Sequence, residues 1–182
     1  MSRPGAEELG FIGHLKWLLE ESGDGRAAMA NLRRGLGKPP GVAHEMDKYV
    51  LSKLPAEANQ RQEEACYLVA ALFARWHQGK DKAEIAEQGN LGTSLQELVG
   101  RYAAEGTDRD EVEKRLEKHL NALLNAHRDD LPGHLRRVVS LLKSEGIPVN
   151  WAQLLSDIQF WSTEDHAVQH SWAKGFWIEN KK

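Results

Sequence analysis

Several features are scarce in this 182-residue chain, and each scarcity excludes a class of protein. The chain holds one cysteine, Cys66, so neither an intrachain disulfide nor a cysteine-based zinc ribbon can form. The longest apolar run, residues 65–74, is about half of the roughly 20 residues that a bilayer requires. The N-terminus lacks the charged-then-apolar pattern of a secretion signal. We therefore expect a soluble, cytoplasmic protein with no membrane contact.

The chain also lacks an excess of positive charge. Its 24 lysine and arginine residues are outnumbered by 27 acidic residues, which gives a net charge of −3. The field of the whole chain therefore does not favour a nucleic acid or an anionic membrane as a partner. Any binding to a polyanion must rely on local basic clusters.

Strand-like alternation and hairpin turns are nearly absent, whereas apolar residues recur at helical spacing along most of the chain. The pattern predicts an all-α fold with eight or nine helices in two small helical bundles that pack together. A polar segment at 78–92 separates them, so we expect an N-terminal bundle at 1–90 and a C-terminal bundle at 91–182. With their caps, the predicted helices are 7–21, 24–35, 43–54, 56–77, 94–104, 107–126, 131–144, 150–160 and 165–176.

A Leu-Arg-Arg triplet occurs twice, at residues 32–34 and at residues 135–137. In each triplet the leucine belongs to the apolar stripe of its helix, so the two arginines turn toward water. Residues 24–38 hold four positive charges and one negative charge, and residues 133–143 hold three positive charges and no acid. Guanidinium groups form forked hydrogen bonds with phosphate oxygens. An anion-binding strip and an ordinary solvated helix face both fit this pattern.

The sequence contains no recognisable catalytic motif. No Gly-x-Ser-x-Gly elbow or phosphate-binding glycine-rich loop occurs, and Cys66 lies in an apolar run that predicts an inert core thiol. His166 and His170 are one helical turn apart and could share a metal ion, but no His-Glu-x-x-His motif supports hydrolysis. We expect no metal, no cofactor and no enzymatic activity, and we keep a metal-dependent hydrolase as an alternative hypothesis.

Six tryptophans are many for a chain of this size. Four of them lie near the C-terminus with two phenylalanines: Trp151, Phe160, Trp161, Trp172, Phe176 and Trp177. Stacking on nucleic-acid bases is one interpretation of these rings. We favour packing in a core, because most of the rings recur at helical spacing with leucine and isoleucine.

The order and spacing of several motifs resemble the CasB family, the small subunit of the type I-E Cascade complex in CRISPR interference. The resemblance covers nearly the whole chain. The motifs that carry it are Leu32-Arg33-Arg34-Gly35, residues 68–77, residues 90–95, Arg128-Asp129-Asp130-Leu131-Pro132, Leu135-Arg136-Arg137 and residues 147–151. It implies a non-enzymatic helical subunit that assembles head-to-tail in two copies, with other Cascade subunits and CRISPR RNA, and helps to hold the opened target DNA in the R-loop.

The resemblance assigns contact with the DNA backbone to the arginines of the matching motifs: Arg33, Arg34, Arg128, Arg136 and Arg137. Proximity and helix face add three further candidates: Lys38, Arg101 and Lys143. The net charge of −3 departs from the basic character of the family, which favours DNA binding within the assembled complex over binding by the free chain. A helical protein-interaction subunit without nucleic-acid contact is the alternative function.

Overall fold

The computed structural model describes residues 3–178, which form nine α-helices and no β-strand. The helices are α1 (Ala6–Glu20), α2 (Gly25–Arg34), α3 (Asp47–Val50), α4 (Gln60–Trp76), α5 (Leu91–Ala104), α6 (Arg109–Leu124), α7 (Leu131–Ser144), α8 (Trp151–Gln159) and α9 (Ala167–Trp177). One parallel bridge joins Ile85 and Val149. The all-α prediction is confirmed, and the described part of the chain has no helix with the length and apolar character needed to cross a membrane.

Packing divides the chain into two compact units. The N-terminal unit comprises residues 3–84 together with Trp151–Gln159, so it contains α1 to α4 and α8. The C-terminal unit comprises Ile85–Asn150 and residues 160–178, with α5, α6, α7 and α9. This grouping differs from the expected bundles at 1–90 and 91–182, because α8 packs against α1 and α4.

The helix α4 supplies much of the core of the N-terminal unit. Between Ala65 and Trp76, every residue except Leu68 and Arg75 is buried. Cys66 lies within this stretch, and its burial raises the pKa of the thiol to about 12. The expected core position of Cys66 is therefore confirmed, and the raised pKa disfavours the thiolate, which is the nucleophilic form of cysteine.

The helices α5 and α9 cross at close range in the C-terminal unit. A β-carbon placed on Gly92 would lie 1.9 Å from the carbonyl oxygen of Trp172. Trp161 packs beside Trp172 with ring centroids 5.0 Å apart, and its indole N–H donates to the Ala126 carbonyl over 3.1 Å. The core interpretation is confirmed for these buried rings, whereas Phe160 is 50% exposed.

Some predicted helix boundaries are wrong. The segment expected as one helix at 43–54 forms only a single α-helical turn, α3, between the 3₁₀ turns His44–Met46 and Leu51–Lys53. Such turns tighten the ends of short helical segments. The start of α6 also differs, because Asp108 rather than Thr107 is its N-cap and accepts a hydrogen bond from the Glu111 N–H over 3.0 Å.

Candidate nucleic-acid interface

The first arginine pair lies at the C-terminal end of α2. Leu32 is fully buried, Arg33 is partly buried and Arg34 is exposed, in agreement with the predicted helix faces. The Arg33 guanidinium donates to the Ala74 carbonyl over 3.4 Å. Ala74 lies in the last turn of α4, where backbone carbonyls have no partner within the helix. Arg33 therefore also stabilises a helix end, a role that the sequence pattern does not reveal.

Burial lowers the pKa of the Arg33 guanidinium, yet arginine stays charged in proteins. Its neighbour Arg34 donates to Asn31 Oδ1 over 3.2 Å and lies 3.8 Å from a Glu45 carboxylate oxygen. Both side chains of this ion pair are more than half exposed, and such pairs contribute at most about 1 kcal/mol. A phosphate can therefore replace Glu45 as the partner of Arg34 at little cost. Lys38 follows in an exposed turn.

The second arginine pair lies on α7. Leu135 is fully buried, whereas Arg136 and Arg137 are exposed. The Arg137 guanidinium hydrogen-bonds His134 Nδ1 over 3.0 Å. In the described part of the chain, no carboxylate pairs with Arg136 or Arg137. These two guanidinium groups thus meet the first requirement for phosphate contact, which is access from solvent without a competing internal anion.

The other three candidates also belong to the C-terminal unit. Arg101 is exposed on α5, and its guanidinium donates to the carbonyl of Glu145, the C-cap residue of α7. Arg128 lies in the segment that joins α6 to α7 and is partly buried. Lys143 is partly buried in the last turn of α7. Lys143 follows Arg136 by seven residues, so both lie on one face of α7, about 10.5 Å apart along its axis.

The structure therefore distributes the candidates over both units. The N-terminal unit carries Arg33, Arg34 and Lys38, and the C-terminal unit carries Arg101, Arg128, Arg136, Arg137 and Lys143. In the N-terminal unit the three residues lie at the end of α2, and in the C-terminal unit they lie on or just before α7, except Arg101, which is on α5 and contacts the C-cap residue of α7. Each unit thus has a basic cluster of its own.

A groove beside α2 contains two cations that are not among the assigned contact residues, although one of them, Arg26, is among the four positive charges counted at residues 24–38. Its volume is about 840 Å³, and Arg26 and Lys80 line it together with Arg33. Arg26 precedes Arg33 by seven residues, which places both on one helix face. That spacing is a signal in the sequence, whereas the approach of Lys80 depends on tertiary packing.

The histidine pair near the C-terminus does not form a helical i, i+4 chelate. His166 is the N-cap of α9 and has a left-handed backbone with a φ of 48°, so it lies outside the helix that carries His170. Among residues 3–178, no group of three or more histidine, cysteine, aspartate or glutamate side chains is placed to hold a metal ion. The geometry gives the hydrolase hypothesis no ligand set.

Comparison with known proteins matches this arrangement to a family. Residues 28–177, including both Leu-Arg-Arg triplets, match the family described as CRISPR-associated protein Cse2. The chain belongs to the Cse2 family. A Cse2 relative from Thermus thermophilus is 33% identical over 168 residues, which cover 90% of this chain and 87% of the relative.

Solved structures agree with the family assignment. CasB from Thermus thermophilus superposes with a TM-score of 0.73 at 30% identity, over 93% of this chain and 96% of that chain. A chain of a CRISPR RNA-guided surveillance complex described as pre-nicking gives a TM-score of 0.73 at 26% identity, over 93% and 91% of the two chains. The predicted resemblance of this Cse2-family chain to CasB is therefore confirmed.

Proposed function

We propose that this Cse2-family chain is a non-catalytic small subunit of a CRISPR RNA-guided surveillance complex that binds the DNA backbone and stabilises the R-loop in antiviral defence. The observation that carries the proposal is the outer face of α7. Arg136 and Arg137 are exposed there beside the buried Leu135, on a segment without acids from Gly133 to Ser144. The similarity to a chain of a solved surveillance complex supports the same role.

The physical basis of the proposal is a small contribution to a nearly balanced equilibrium. Exchange of a DNA duplex for an RNA–DNA heteroduplex is close to neutral in free energy, so a few contacts to the backbone decide whether the open state persists. The guide RNA reads the sequence, while the protein neutralises phosphate charge without reading bases. The phosphate contacts are assigned to Arg33, Arg34, Lys38, Arg101, Arg128, Arg136, Arg137 and Lys143.

The net charge of −3 favours contact with DNA in the assembled complex over contact by the free chain. A free chain with this charge is not attracted to DNA over long distances, so other subunits and the CRISPR RNA bring the backbone to the basic clusters. The proposed assembly contains a second copy of the chain and lies in the cytoplasm. Its DNA contacts are independent of sequence and weaken as salt increases.

A protein-interaction subunit without nucleic-acid contact is the second candidate function. It is favoured by the apolar residues Leu9 and Trp17, which are 58% and 48% exposed and lie two turns apart on α1. Exposed aromatic residues often anchor protein partners. The two functions differ in what contacts the arginines, because only the first requires DNA at α2 and α7.

Strand-specific photo-crosslinking in the assembled complex, combined with R-loop lifetime, tests the first function. The charge-reversal pair Arg136→Glu and Arg137→Glu is expected to shorten the R-loop lifetime and to remove DNA crosslinks at α7. The matched control is Lys114→Glu with Lys118→Glu, which makes the same charge change on exposed positions of α6. An unchanged lifetime in the α7 variant, with crosslinks only to protein, would favour the second function.

A further inference from the structure

A groove of about 840 Å³ lies within the N-terminal unit, between α2 and the segment that follows α4. One wall carries Arg26, Met29 and Arg33, which occupy one face of α2 because they are three and four residues apart. The facing segment contributes His77 and Lys80. Three cations from two separate parts of the chain therefore line one recess.

Among the side chains that line the groove, positive charges outnumber negative charges by one. Asp24 and Asp81 also line it, so three cations face two carboxylates. Within residues 3–178, the exposed Arg26 side chain forms no ion pair or hydrogen bond. The Lys80 ammonium contacts the Glu84 carboxylate, but Glu84 is 51% exposed, so this pair can exchange for another anion.

The wall that carries Lys80 is fixed by His77. The His77 imidazole hydrogen-bonds the Phe73 carbonyl through Nδ1 over 2.9 Å, and its Nε2 accepts from the Glu84 N–H over 3.1 Å. The Ala83 N–H also donates to Glu20 Oε1 over 2.9 Å. The segment that follows α4 is thus tied to α4 and to α1, and Lys80 needs little ordering when an anion enters the groove.

We propose that this groove binds the phosphodiester backbone of an unpaired nucleic-acid strand through Arg26, Arg33 and Lys80. The inference rests on the proposed function and adds Arg26 and Lys80 to its contact residues. Arg26 and Arg33 are about 10.5 Å apart along the axis of α2, so one strand can place separate phosphates at each.

The recessed position of the cations selects an unpaired strand. A duplex is stiff over about 150 base pairs and does not bend into a local groove, whereas a single strand follows one. Asp24 and Asp81 limit the affinity, so the groove holds a strand that the assembled complex delivers rather than capturing one from solution.

The test uses the assembled complex with target DNA and measures both R-loop lifetime and crosslinks to residues 22–29 and 79–84. It is paired with binding of an oligothymidine strand and of the matching duplex to the assembled complex before target DNA is added. The variant Arg26→Glu with Lys80→Glu is expected to lose the groove crosslinks and to lower the log–log salt slope for single-strand binding by about 1.4. Asp81→Asn is expected to strengthen the same binding, and Lys114→Glu with Lys118→Glu is expected to leave it unchanged.

The outcomes separate this inference from the proposed function. If the α7 charge reversal weakens DNA binding while the groove variant and Asp81→Asn match the wild type, the groove is overturned and the proposed function stands. If neither the α7 variant nor the groove variant changes binding, the proposed function fails as well. Equal losses of single-strand and duplex binding would overturn the assignment to an unpaired strand. Arg26→Gln with Lys80→Gln replaces the charge reversal if the latter fails to fold.

Discussion

Arg33 and Ala74 are joined by a hydrogen bond of 3.4 Å from the guanidinium to the backbone carbonyl, although 41 residues separate them in sequence. The bond links the C-terminal end of α2 to the last turn of α4. Within residues 3–178, the adjacent Arg34 forms polar contacts only with Asn31, one helical turn before it, and with the exposed Glu45 carboxylate. Of these two neighbouring arginines, Arg33 therefore connects two α-helices of the fold, whereas Arg34 does not.

We predict that Arg33→Ala lowers the free energy of unfolding by about 1 kcal/mol, because it removes a hydrogen bond to an otherwise unpaired helix-end carbonyl. Arg34→Ala is expected to change this free energy by less than about 0.5 kcal/mol, as usual for an exposed side chain. Urea unfolding of both variants measures the difference. Equal destabilisation by the two substitutions would contradict a structural role specific to Arg33.

The crossing of α5 and α9 gives a second prediction. A β-carbon on Gly92 would lie 1.9 Å from the Trp172 carbonyl oxygen, a backbone atom that can move only if the helices separate. We predict that Gly92→Ala lowers the free energy of unfolding by about 2 kcal/mol or more through overpacking. Thermal and urea unfolding measure this loss.

Gly100 provides the control for this substitution on the same helix. A β-carbon on Gly100 would have no heavy atom within 4 Å apart from its chain neighbours and the backbone of its own helix. Because alanine has the higher helix propensity, Gly100→Ala is expected to raise the free energy of unfolding by about 0.5–1 kcal/mol. The close approach at Gly92 would be disproved if both alanine variants were as stable as the wild type.

A third prediction concerns the dependence of stability on pH. Burial lowers the pKa of His77 below its ordinary value of 6.5, and the Nε2 atom that accepts from Glu84 must be unprotonated. The unfolded chain therefore binds the proton more readily than the folded chain. Stability is retained above about pH 6.5 and decreases as the pH falls below it, by at most about 1.4 kcal/mol per pH unit for this histidine.

Substitution of His77 isolates its part of this effect, because burial also lowers the pKa of His14. His77→Gln is expected to flatten the decrease in stability below pH 6.5 without abolishing it. His119→Gln, at an exposed position on α6, is expected to leave the slope unchanged. Urea unfolding across a pH series measures the slopes, and an unaltered slope in His77→Gln would refute this assignment.

Helical periodicity predicts most of the local structure, and the α7 helix illustrates why. Its predicted bounds, residues 131–144, coincide with the observed helix Leu131–Ser144. The burial of Leu135 and the exposure of Arg136 follow from the same apolar stripe. A face of a helix is a local property, so the sequence is enough to assign it.

Contacts between distant segments were not predictable in the same way. Periodicity shows that α8 has a buried face but does not name α1 and α4 as the helices that cover it. The bond from Arg101 to the Glu145 carbonyl and the placement of Lys80 opposite Arg26 likewise depend on packing. For this reason the sequence finds basic helix faces, whereas the structure alone shows which cations also support the fold.

The α7 arginines allow the last prediction to separate binding from folding. Arg136 and Arg137 are exposed and pair with no carboxylate among residues 3–178, so their removal costs little packing. We predict that Arg136→Gln with Arg137→Gln changes the free energy of unfolding by less than about 0.5 kcal/mol. The same variant is expected to lower the log–log salt slope of single-strand binding by about 1.4, or about 0.7 for each lost phosphate contact. Urea unfolding measures the first effect, and a salt titration of binding in the assembled complex measures the second. A large loss of stability with an unchanged salt slope would show that these arginines stabilise the fold and do not contact DNA.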